Sequence, residues 1–183
     1  METAWVARRA SAEDLPGAMA LMRRMLDEDF GHGWRADWHW DVADLDVLRV
    51  TYVEHPRQAL FVALDGRDVV GTTAVREDGP KSPPHPEAVA ARYAGPESGH
   101  LMRVWVAGEH RRRGIARALV ELARDWAPTA GYRTLCLHTD ARMPGAEPFW
   151  RALPTLEVCD ARGTEREFQT IHFELPLSAD ASA

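Results

Sequence analysis

Cysteine and long apolar runs are scarce in this sequence. Only Cys136 and Cys159 occur among 183 residues. Residues 1–9 have no apolar stretch of the length that a secretory signal peptide needs, and no segment reaches the roughly 20 apolar residues of a membrane-spanning helix. A disulfide-stabilised or membrane-embedded protein is therefore not expected. Two cysteines without a signal sequence favour a cytoplasmic location, where both thiols stay free.

Metal-ligand spacings and an excess of positive charge are also missing. The eight histidines include no His-Glu-x-x-His pattern, so no metal is predicted. The net charge of −6 argues against a general nucleic-acid binder and suits a cationic substrate. We expect neither nucleic acid nor a membrane as a partner. Cys136 lies in an apolar strand and is expected to be inert, and no histidine and acid can be assigned to Cys159 as a nucleophile.

Apolar residues are present in the proportion of a globular domain. They make up 45% of the chain, beside 27% charged residues. This is enough to build one hydrophobic core, and no internal repeat is visible. We predict a single domain over residues 1–177, followed by a disordered tail over 178–183.

The first half of the chain has the pattern of a strand, two helices and a hairpin. Residues 5–9 suit a short strand, after which Ser11 and Asp14 supply helix-start chemistry. Apolar residues at helical spacing then predict one buried helix face, formed by Leu15, Ala18, Met19, Met22, Met25 and Leu26. A second helix is expected at about 42–53, before Pro56. Strands over 59–64 and 69–75 flank a hairpin turn at Asp65 and Gly66.

The second half alternates strands and helices after a proline-rich insertion. The insertion, about 79–99, is interpreted as a flexible surface loop with a helical turn around 88–92, or alternatively as a lid over an acceptor site. Strands are predicted over 100–106, 134–139, 157–160 and 170–175, and helices over 114–127 and 146–153. This order predicts an α/β (α+β) domain with a central mixed, mostly antiparallel twisted sheet and helices on both faces.

A basic loop containing a glycine joins the 100–106 strand to the 114–127 helix. Arg111, Arg112 and Arg113 precede Gly114, and Ala116 follows it. The first amides of a helix have no intrahelical partners, and the helix dipole favours negative charge there. Glycine and alanine let a phosphate approach the backbone, and the arginines add charge. The loop therefore predicts a pyrophosphate site, although it lacks the lysine of a Walker loop and the three glycines of a dinucleotide fold.

This strand, loop and helix resemble the acetyl-coenzyme A signature of the GNAT acyltransferases. The resemblance rests on Val104, Trp105 and Val106, on the spacing Arg111-x-x-Gly114-x-Ala116, and on the amphipathic helix that follows. It extends over nearly the whole chain, apart from the proline-rich insertion and the last residues. It implies a GNAT-like fold in which the fourth strand (100–106) and the fifth strand (134–139) splay apart around the pantetheine arm.

The resemblance also implies the donor and its contacts. Acetyl-coenzyme A, or another short acyl thioester, would be held through Val104, Trp105, Val106, Arg111, Arg112, Arg113, Gly114, Ile115 and Ala116. Backbone groups of Val104 and Val106 would pair with the pantetheine arm, and an amide near Val104 or Trp105 would polarise the thioester carbonyl. A primary amine would attack directly, without a covalent enzyme intermediate. The resemblance also implies a homodimer, because members of the family often form dimers.

Two positions depart from the family pattern. Met143 stands where an asparagine often follows the fifth strand, and Trp150, after Phe149, stands where a tyrosine often protonates the departing thiolate. Indole is not an acid at neutral pH, so no general acid is carried over. Without an acid, a thiolate of pKa about 8.5 still leaves, at a cost on the order of 10²–10⁴ in rate. Tyr93, Tyr52 or a water are the alternative proton donors.

The acceptor amine must lose a proton, because a lysine-like amine has a pKa of about 10.4. Glu97 and His100, where the insertion enters the fourth strand, are the candidate bases, since a carboxylate near this strand often has that task in the family. His138 and Asp140, at the end of the fifth strand, are the next choices.

The acceptor pocket is expected beside the tryptophan-rich segment between the first two helices, a region that lines this pocket in the family. Trp34, Trp38 and His138 are its candidate residues, with packing in the core as the alternative. A polyamine, an antibiotic, an amino acid and a protein N-terminus all remain open as acceptors, and so does the acyl length.

Two other functions remain open from the sequence. The fold could serve as a coenzyme A-binding sensor with little or no catalysis, which Met143 and Trp150 favour. Alternatively, the arginines could bind a nucleic acid or a phosphoprotein, which predicts a steep dependence of binding on salt.

Overall fold

A computed structural model describes residues 5–30, 39–163 and 169–177. Its strands and helices, in chain order, are β1 (Val6–Arg9), α1 (Leu15–Phe30), α2 (Leu45–Tyr52), β2 (Ala59–Asp65), β3 (Asp68–Arg76), α3 (Glu87–Arg92), β4 (Ser98–Val106), α4 (Ile115–Trp126), β5 (Thr134–Asp140), α5 (Ala146–Arg151), β6 (Leu156–Asp160) and β7 (Thr170–Pro176). Every strand and helix predicted from the sequence is present. The candidate pocket residues Trp34 and Trp38, and the tail 178–183, lie outside the described residues.

The sheet has seven strands in the order β1-β2-β3-β4-β5-β7-β6. The pairs β1–β2, β2–β3, β5–β7 and β6–β7 are antiparallel, whereas β4 and β5 are parallel. The register of β4 with β5 runs only from Ser98 opposite Thr134 to His100 opposite Cys136, although both strands continue beyond these pairs. The prediction of a mixed, mostly antiparallel sheet that splays between its fourth and fifth strands is confirmed.

The chain divides into two compact units, residues 1–75 with 103–123 and residues 76–102 with 124–183. Strand β4 contributes residues to both. The prediction of a single domain over 1–177 stays a prediction.

In the first unit, the predicted apolar face of α1 forms part of the core. Leu15, Ala18, Met22, Met25 and Leu26 are buried, and only Met19 is half-buried. The helix start is fixed by Asp14, whose carboxylate accepts hydrogen bonds from the Ser11 amide (2.7 Å) and hydroxyl (2.9 Å). The sequence pattern therefore gives both the position and the buried side of this helix.

Helix α4 lies against β3 in the same unit because Gly71 has no side chain. A Cβ at Gly71 would come within 2.8 Å of Ile115 Cγ2 and 3.1 Å of Leu119 Cδ1. This close approach positions the N-terminal end of α4, which follows the arginine-glycine loop.

In the second unit, part of the proline-rich insertion packs against β5. Val89 and Tyr93 are buried and contact Cys136 of β5, and the Tyr93 hydroxyl donates to Glu174 Oε2 at 2.7 Å. Most of the insertion still lies at the surface, and α3 confirms the helical turn expected around 88–92, whereas the flexibility of the insertion stays a prediction. Val89 and Tyr93 are four residues apart, so they share one side of α3, a signal that the surrounding prolines obscured.

Candidate functional site

The arginine-glycine loop, residues 111–116, turns sharply between β4 and α4. The backbone is extended at Arg111 (φ −64°, ψ 158°) and left-handed at Arg112 (φ 64°) and Gly114 (φ 80°). Residues with a side chain rarely adopt the left-handed backbone region. Glycine adopts it readily, so Gly114 suits this position of the turn. A Cβ built at Gly114 would meet no atom within 4 Å. The backbone here is therefore open to a ligand.

The N-terminal end of α4 provides donors at this opening. The amide of Ala118 donates to the Gly114 carbonyl at 3.1 Å, as the first turn of a helix requires. By helix geometry, the amides of Ile115 and Ala116 point out of the helix end, where the dipole is positive. This arrangement suits an anion such as a pyrophosphate.

The three arginines before Gly114 have different surroundings. Arg111 and Arg112 are exposed, and the Arg111 Nε donates to the Val106 carbonyl at 3.1 Å. Arg113 is half-buried, and its guanidinium lies 2.8 Å from His110 Nδ1 and 3.3 Å from Asp65 Oδ2. The Asp65 carboxylate thus compensates the charge of Arg113. Arg111 and Arg112 therefore lie at the surface of the loop, whereas Arg113 is held against Asp65 and His110.

Strand β4 departs from regular strand geometry at Arg103, just before Val104, Trp105 and Val106. Arg103 is left-handed (φ 57°), and its carbonyl accepts a hydrogen bond from the Thr72 hydroxyl at 2.9 Å. Its guanidinium forms a buried ion pair with Asp41, at 2.5 Å from Oδ1 and 3.2 Å from Oδ2. These contacts hold both the backbone carbonyl and the side chain of Arg103 in place.

Asp41 is the centre of this buried network. It is fully buried and also accepts a hydrogen bond from the Tyr52 hydroxyl at 2.6 Å. Burial alone would lower the pKa of Arg103, but the Asp41 carboxylate raises it above its ordinary value. The guanidinium therefore stays charged. The network could not be predicted from the sequence, because its members have no characteristic spacing.

Four histidines of the second unit lie together: His85, His100, His138 and His172. The ring centroid of His138 lies 4.3 Å from His85, 5.2 Å from His100 and 5.8 Å from His172. His100 is buried, its Nδ1 lies 3.1 Å from the Asp78 carbonyl, and its Nε2 lies 3.2 Å from His138 Nδ1. The sequence predicted a role for His100 and His138 but gave no sign that they would meet His85 and His172.

Its surroundings make His100 a weak base, although the hydrogen bond to the Asp78 carbonyl alone would raise its pKa. Burial, with the nearby charge of Arg76, lowers the pKa of His100 to about 3, so its imidazole is neutral at physiological pH. Glu97, the other candidate, is exposed at the start of β4, with its carboxylate folded back over Gly95. The assignment of either residue as the catalytic base stays a prediction.

Several side chains weighed as acids, bases or nucleophiles have other roles here. Tyr52 and Tyr93 are buried and donate to Asp41 and Glu174, so neither suits a proton donor to a thiolate. Burial would raise the pKa of Asp140, but hydrogen bonds from Arg142 bring it below its ordinary value, which makes Asp140 a poor base. Burial also raises the pKa of the Cys136 thiol to about 12, in agreement with an inert cysteine.

The positions that depart from the GNAT pattern are part of α5 and the turn before it. Trp150 is buried, with its ring 4.9 Å from that of Phe149. The Met143 amide donates to the Asp140 carbonyl at 3.0 Å. Trp150 therefore packs inside the fold, and its indole supplies no acid.

Among the described residues, no group of three or more histidine, cysteine, aspartate or glutamate side chains is arranged to hold a metal ion. Within the same ranges, no helix is long and apolar enough to cross a membrane. Both cysteines are free thiols.

Comparison with known proteins matches the acetyltransferase (GNAT) family to residues 19–153 of the chain. Mouse N-acetyltransferase 8 is 32% identical over 108 residues, which are 59% of this chain and 41% of that protein. The chain thus spans about two fifths of the curated relatives that it matches.

Solved structures of acetyltransferases share the fold. A GNAT acetyltransferase from Staphylococcus aureus Mu50 superposes with a TM-score of 0.70 at 13% identity, over 96% of this chain and 100% of that one. Salmonella typhimurium yncA, solved with its cofactor acetyl-CoA, superposes with a TM-score of 0.69 at 12% identity, over 98% of each chain.

Proposed function

The chain belongs to the acetyltransferase (GNAT) family, and on that premise we propose that it transfers an acetyl or another short acyl group from acyl-coenzyme A to a primary amine. The observation that carries this proposal is the open N-terminal end of α4. Gly114 is left-handed there with no atom near its Cβ position, and Arg111 and Arg112 are exposed beside it. This loop suits the pyrophosphate of coenzyme A, and the fixed backbone of β4 suits its pantetheine arm.

The donor binds in this proposal as a substrate, along Val104, Trp105 and Val106 and across the loop to Ala116. The Val106 carbonyl already accepts a hydrogen bond from Arg111, so the side chain of Arg111 ties the strand to the loop. A backbone amide near Val104 or Trp105 polarises the thioester carbonyl. Such donors stabilise the charge that develops on oxygen during acyl transfer.

The acyl group passes directly to the amine in this proposal. The amine nitrogen attacks the thioester carbon, the C–N bond forms, the C–S bond breaks and the thiolate leaves with the electron pair. A covalent intermediate on Cys136 is not expected, because its thiol stays protonated. A thiolate leaves without an acid at a tolerable cost, so Trp150 does not prevent turnover.

The alternative in the same fold is a coenzyme A-binding sensor. It is favoured by one observation, the buried Trp150 at the position where the family often has a tyrosine. The acceptor, the homodimer and the cytoplasmic location remain predictions from the sequence.

Turnover in the presence of amines separates these functions. We expect the purified chain to release coenzyme A from acetyl-coenzyme A, followed with a thiol reagent, faster when at least one amine among spermidine, an aminoglycoside, L-lysine and a peptide N-terminus is present. Mass spectrometry should find the acetylated amine. Tight binding of acetyl-coenzyme A without turnover on any of these amines would favour the sensor.

A second control addresses the polyanion alternative. Acetyl-coenzyme A should raise the melting temperature at a salt concentration that abolishes binding of nucleic acid, because a specific ligand stabilises only the folded state. No thermal shift with acetyl-coenzyme A at any salt concentration would contradict the proposed function.

A further inference from the structure

The tip of the β2–β3 hairpin and the loop after β4 meet through three side chains. Asp65 ends β2, and its carboxylate lies 3.3 Å from the Arg113 guanidinium and 3.5 Å from His110 Nδ1. The Arg113 Nη1 lies 2.8 Å from the same His110 nitrogen. We call Asp65, His110 and Arg113 the clasp. All three belong to the first unit, together with residues 104–116.

The chemistry of the clasp assigns the proton of His110. A guanidinium carries only N–H donors, so Nδ1 of His110 must accept the hydrogen bond from Arg113. An imidazolium has a proton on both ring nitrogens and cannot accept. The His110 ring is therefore neutral in the clasp, with its proton on Nε2. The charge that compensates Arg113 comes from the Asp65 carboxylate.

The clasp spans a left-handed residue of the loop. The His110 amide donates to the Ala107 carbonyl at 2.8 Å, which completes a short turn after β4. Arg112 follows with φ 64°, a backbone conformation that a residue with a side chain keeps only where its surroundings hold it. The contact between His110 and Arg113 bridges this residue. Loss of the contact would therefore remove one of the restraints on the turn that leads into Gly114.

The clasp is partly shielded from water. Its three side chains are between 14% and 29% exposed, so salt screens their interactions less than those of charges on an open surface. The acidic neighbour of His110 is engaged by helix α1, because Arg24 Nη2 lies 3.6 Å from Glu109 Oε1. Arg113 is thus the cation that the clasp holds.

We propose that His110 is a positioning residue for acyl-coenzyme A. Together with Asp65, its Nδ1 holds Arg113. This contact keeps the turn at Arg112 and Gly114 in the shape that presents the first amides of α4 to the pyrophosphate. The proposal rests on the proposed function. His110 touches no reacting atom in this role, so it affects the binding of the donor and not the transfer of the acyl group.

Two substitutions of His110 separate its hydrogen bond from packing. Asparagine places an amide oxygen close to the position of Nδ1 and can accept from Arg113, whereas leucine fills the space without an acceptor. In titration calorimetry we expect His110→Leu to bind acetyl-coenzyme A about 10-fold more weakly than the wild type, and His110→Asn to stay within about 3-fold. Packing alone predicts the reverse order, because asparagine leaves the larger gap. That order, or no loss in either variant, would overturn the proposal.

His55→Leu is the matched control. Nδ1 of His55 also accepts a hydrogen bond, from the Arg57 amide at 3.2 Å, but His55 lies in the connection between α2 and β2. This variant should bind acetyl-coenzyme A as tightly as the wild type. An equal loss of affinity in His55→Leu and His110→Leu would count against a specific role for His110.

Turnover with the best amine of the panel separates positioning from catalysis. We expect His110→Leu to raise the KM for acetyl-coenzyme A and to keep kcat within about 2-fold, because His110 acts on the binding of the donor. A loss of kcat at an unchanged KM would contradict the positioning role.

A double-mutant cycle shows whether His110 acts through Arg113. Arg113→Met removes the guanidinium and retains much of the apolar side chain. We expect His110→Leu to cost about 10-fold in affinity in the wild-type chain and less than about 2-fold in the Arg113→Met chain. Equal costs in the two chains would mean that His110 does not act through Arg113.

The clasp can also be read without donor or turnover. Nitrogen-15 NMR of the imidazole rings at neutral pH should show His110 protonated at Nε2 and not at Nδ1, and a proton on Nδ1 would overturn the clasp. If the wild type binds no acetyl-coenzyme A, the proposed function and the positioning role fall together. If the wild type binds it and His110→Leu binds it equally well, only the positioning role fails.

Discussion

Gly114→Asp should weaken the binding of acetyl-coenzyme A by at least about 100-fold, equivalent to about 2.7 kcal/mol. The new carboxylate would stand at the N-terminal end of α4, where the pyrophosphate is expected. Two like charges about 4 Å apart repel by about 4 kcal/mol near a protein surface. Aspartate tolerates the left-handed backbone better than most residues, and a negative charge suits a helix N-terminus, so the variant should fold. Titration calorimetry measures the affinity.

Gly131→Asp is the matched control for this prediction. Gly131 is also left-handed (φ 85°) and also has no atom within 4 Å of its Cβ position, but it follows α4 instead of preceding it. Gly131→Asp should lose more stability than Gly114→Asp, because its carboxylate stands at the negative end of the helix dipole, and only Gly114→Asp should lose affinity. Equal affinities in two folded variants would contradict the pyrophosphate site at residues 111–116.

Asp41→Asn should reduce the free energy of unfolding by about 3 kcal/mol, because it leaves the buried charge of Arg103 without its carboxylate. For a chain of this size such a loss lowers the melting temperature by about 6–12 °C. Chemical denaturation measures the change. The affinity for acetyl-coenzyme A should fall as well, because Arg103 sets the backbone of β4 just before Val104. A loss of unfolding free energy below about 0.5 kcal/mol would contradict this prediction, because it would mean that the Asp41–Arg103 ion pair contributes little to stability.

The double variant Asp41→Leu with Arg103→Met separates the charge from the packing. Replacing both members of a buried pair by apolar residues is often close to neutral. We therefore expect the double variant to be more stable than Asp41→Asn. Tyr52→Phe, which removes only the hydroxyl that donates to Asp41, should cost about 1 kcal/mol. A double variant less stable than Asp41→Asn would mean that the shape of the pair, and not its charge, matters.

Local patterns were sufficient to predict most of the fold and to single out residues 111–116 as a candidate pyrophosphate site. The apolar spacing of α1 gave its buried face because a helix repeats every 3.6 residues. The loop could be found because its arginines, its glycine and the start of α4 are consecutive in sequence. The sequence of the loop did not show that the Asp65 carboxylate compensates the charge of Arg113, since these residues are 48 positions apart.

The parts that sequence analysis missed depend on contacts between distant segments. Asp41 and Arg103 are 62 residues apart, and His100 and His138 are 38 apart. No periodicity connects such pairs, so their meeting follows from the strand order and register. The packing of part of the insertion was missed for a related reason: its prolines predicted a surface loop, and the burial of Val89 and Tyr93 depends on contacts with β5 and β7.

The most direct test of the central claim is the structure of this chain with coenzyme A bound. We predict the pyrophosphate oxygens at hydrogen-bonding distance, about 2.7–3.2 Å, from the amides of Ile115 and Ala116, with Arg111 or Arg112 beside them and the pantetheine arm along Val104 and Val106. A pyrophosphate bound elsewhere, with residues 111–116 making no contact to it, would contradict the account.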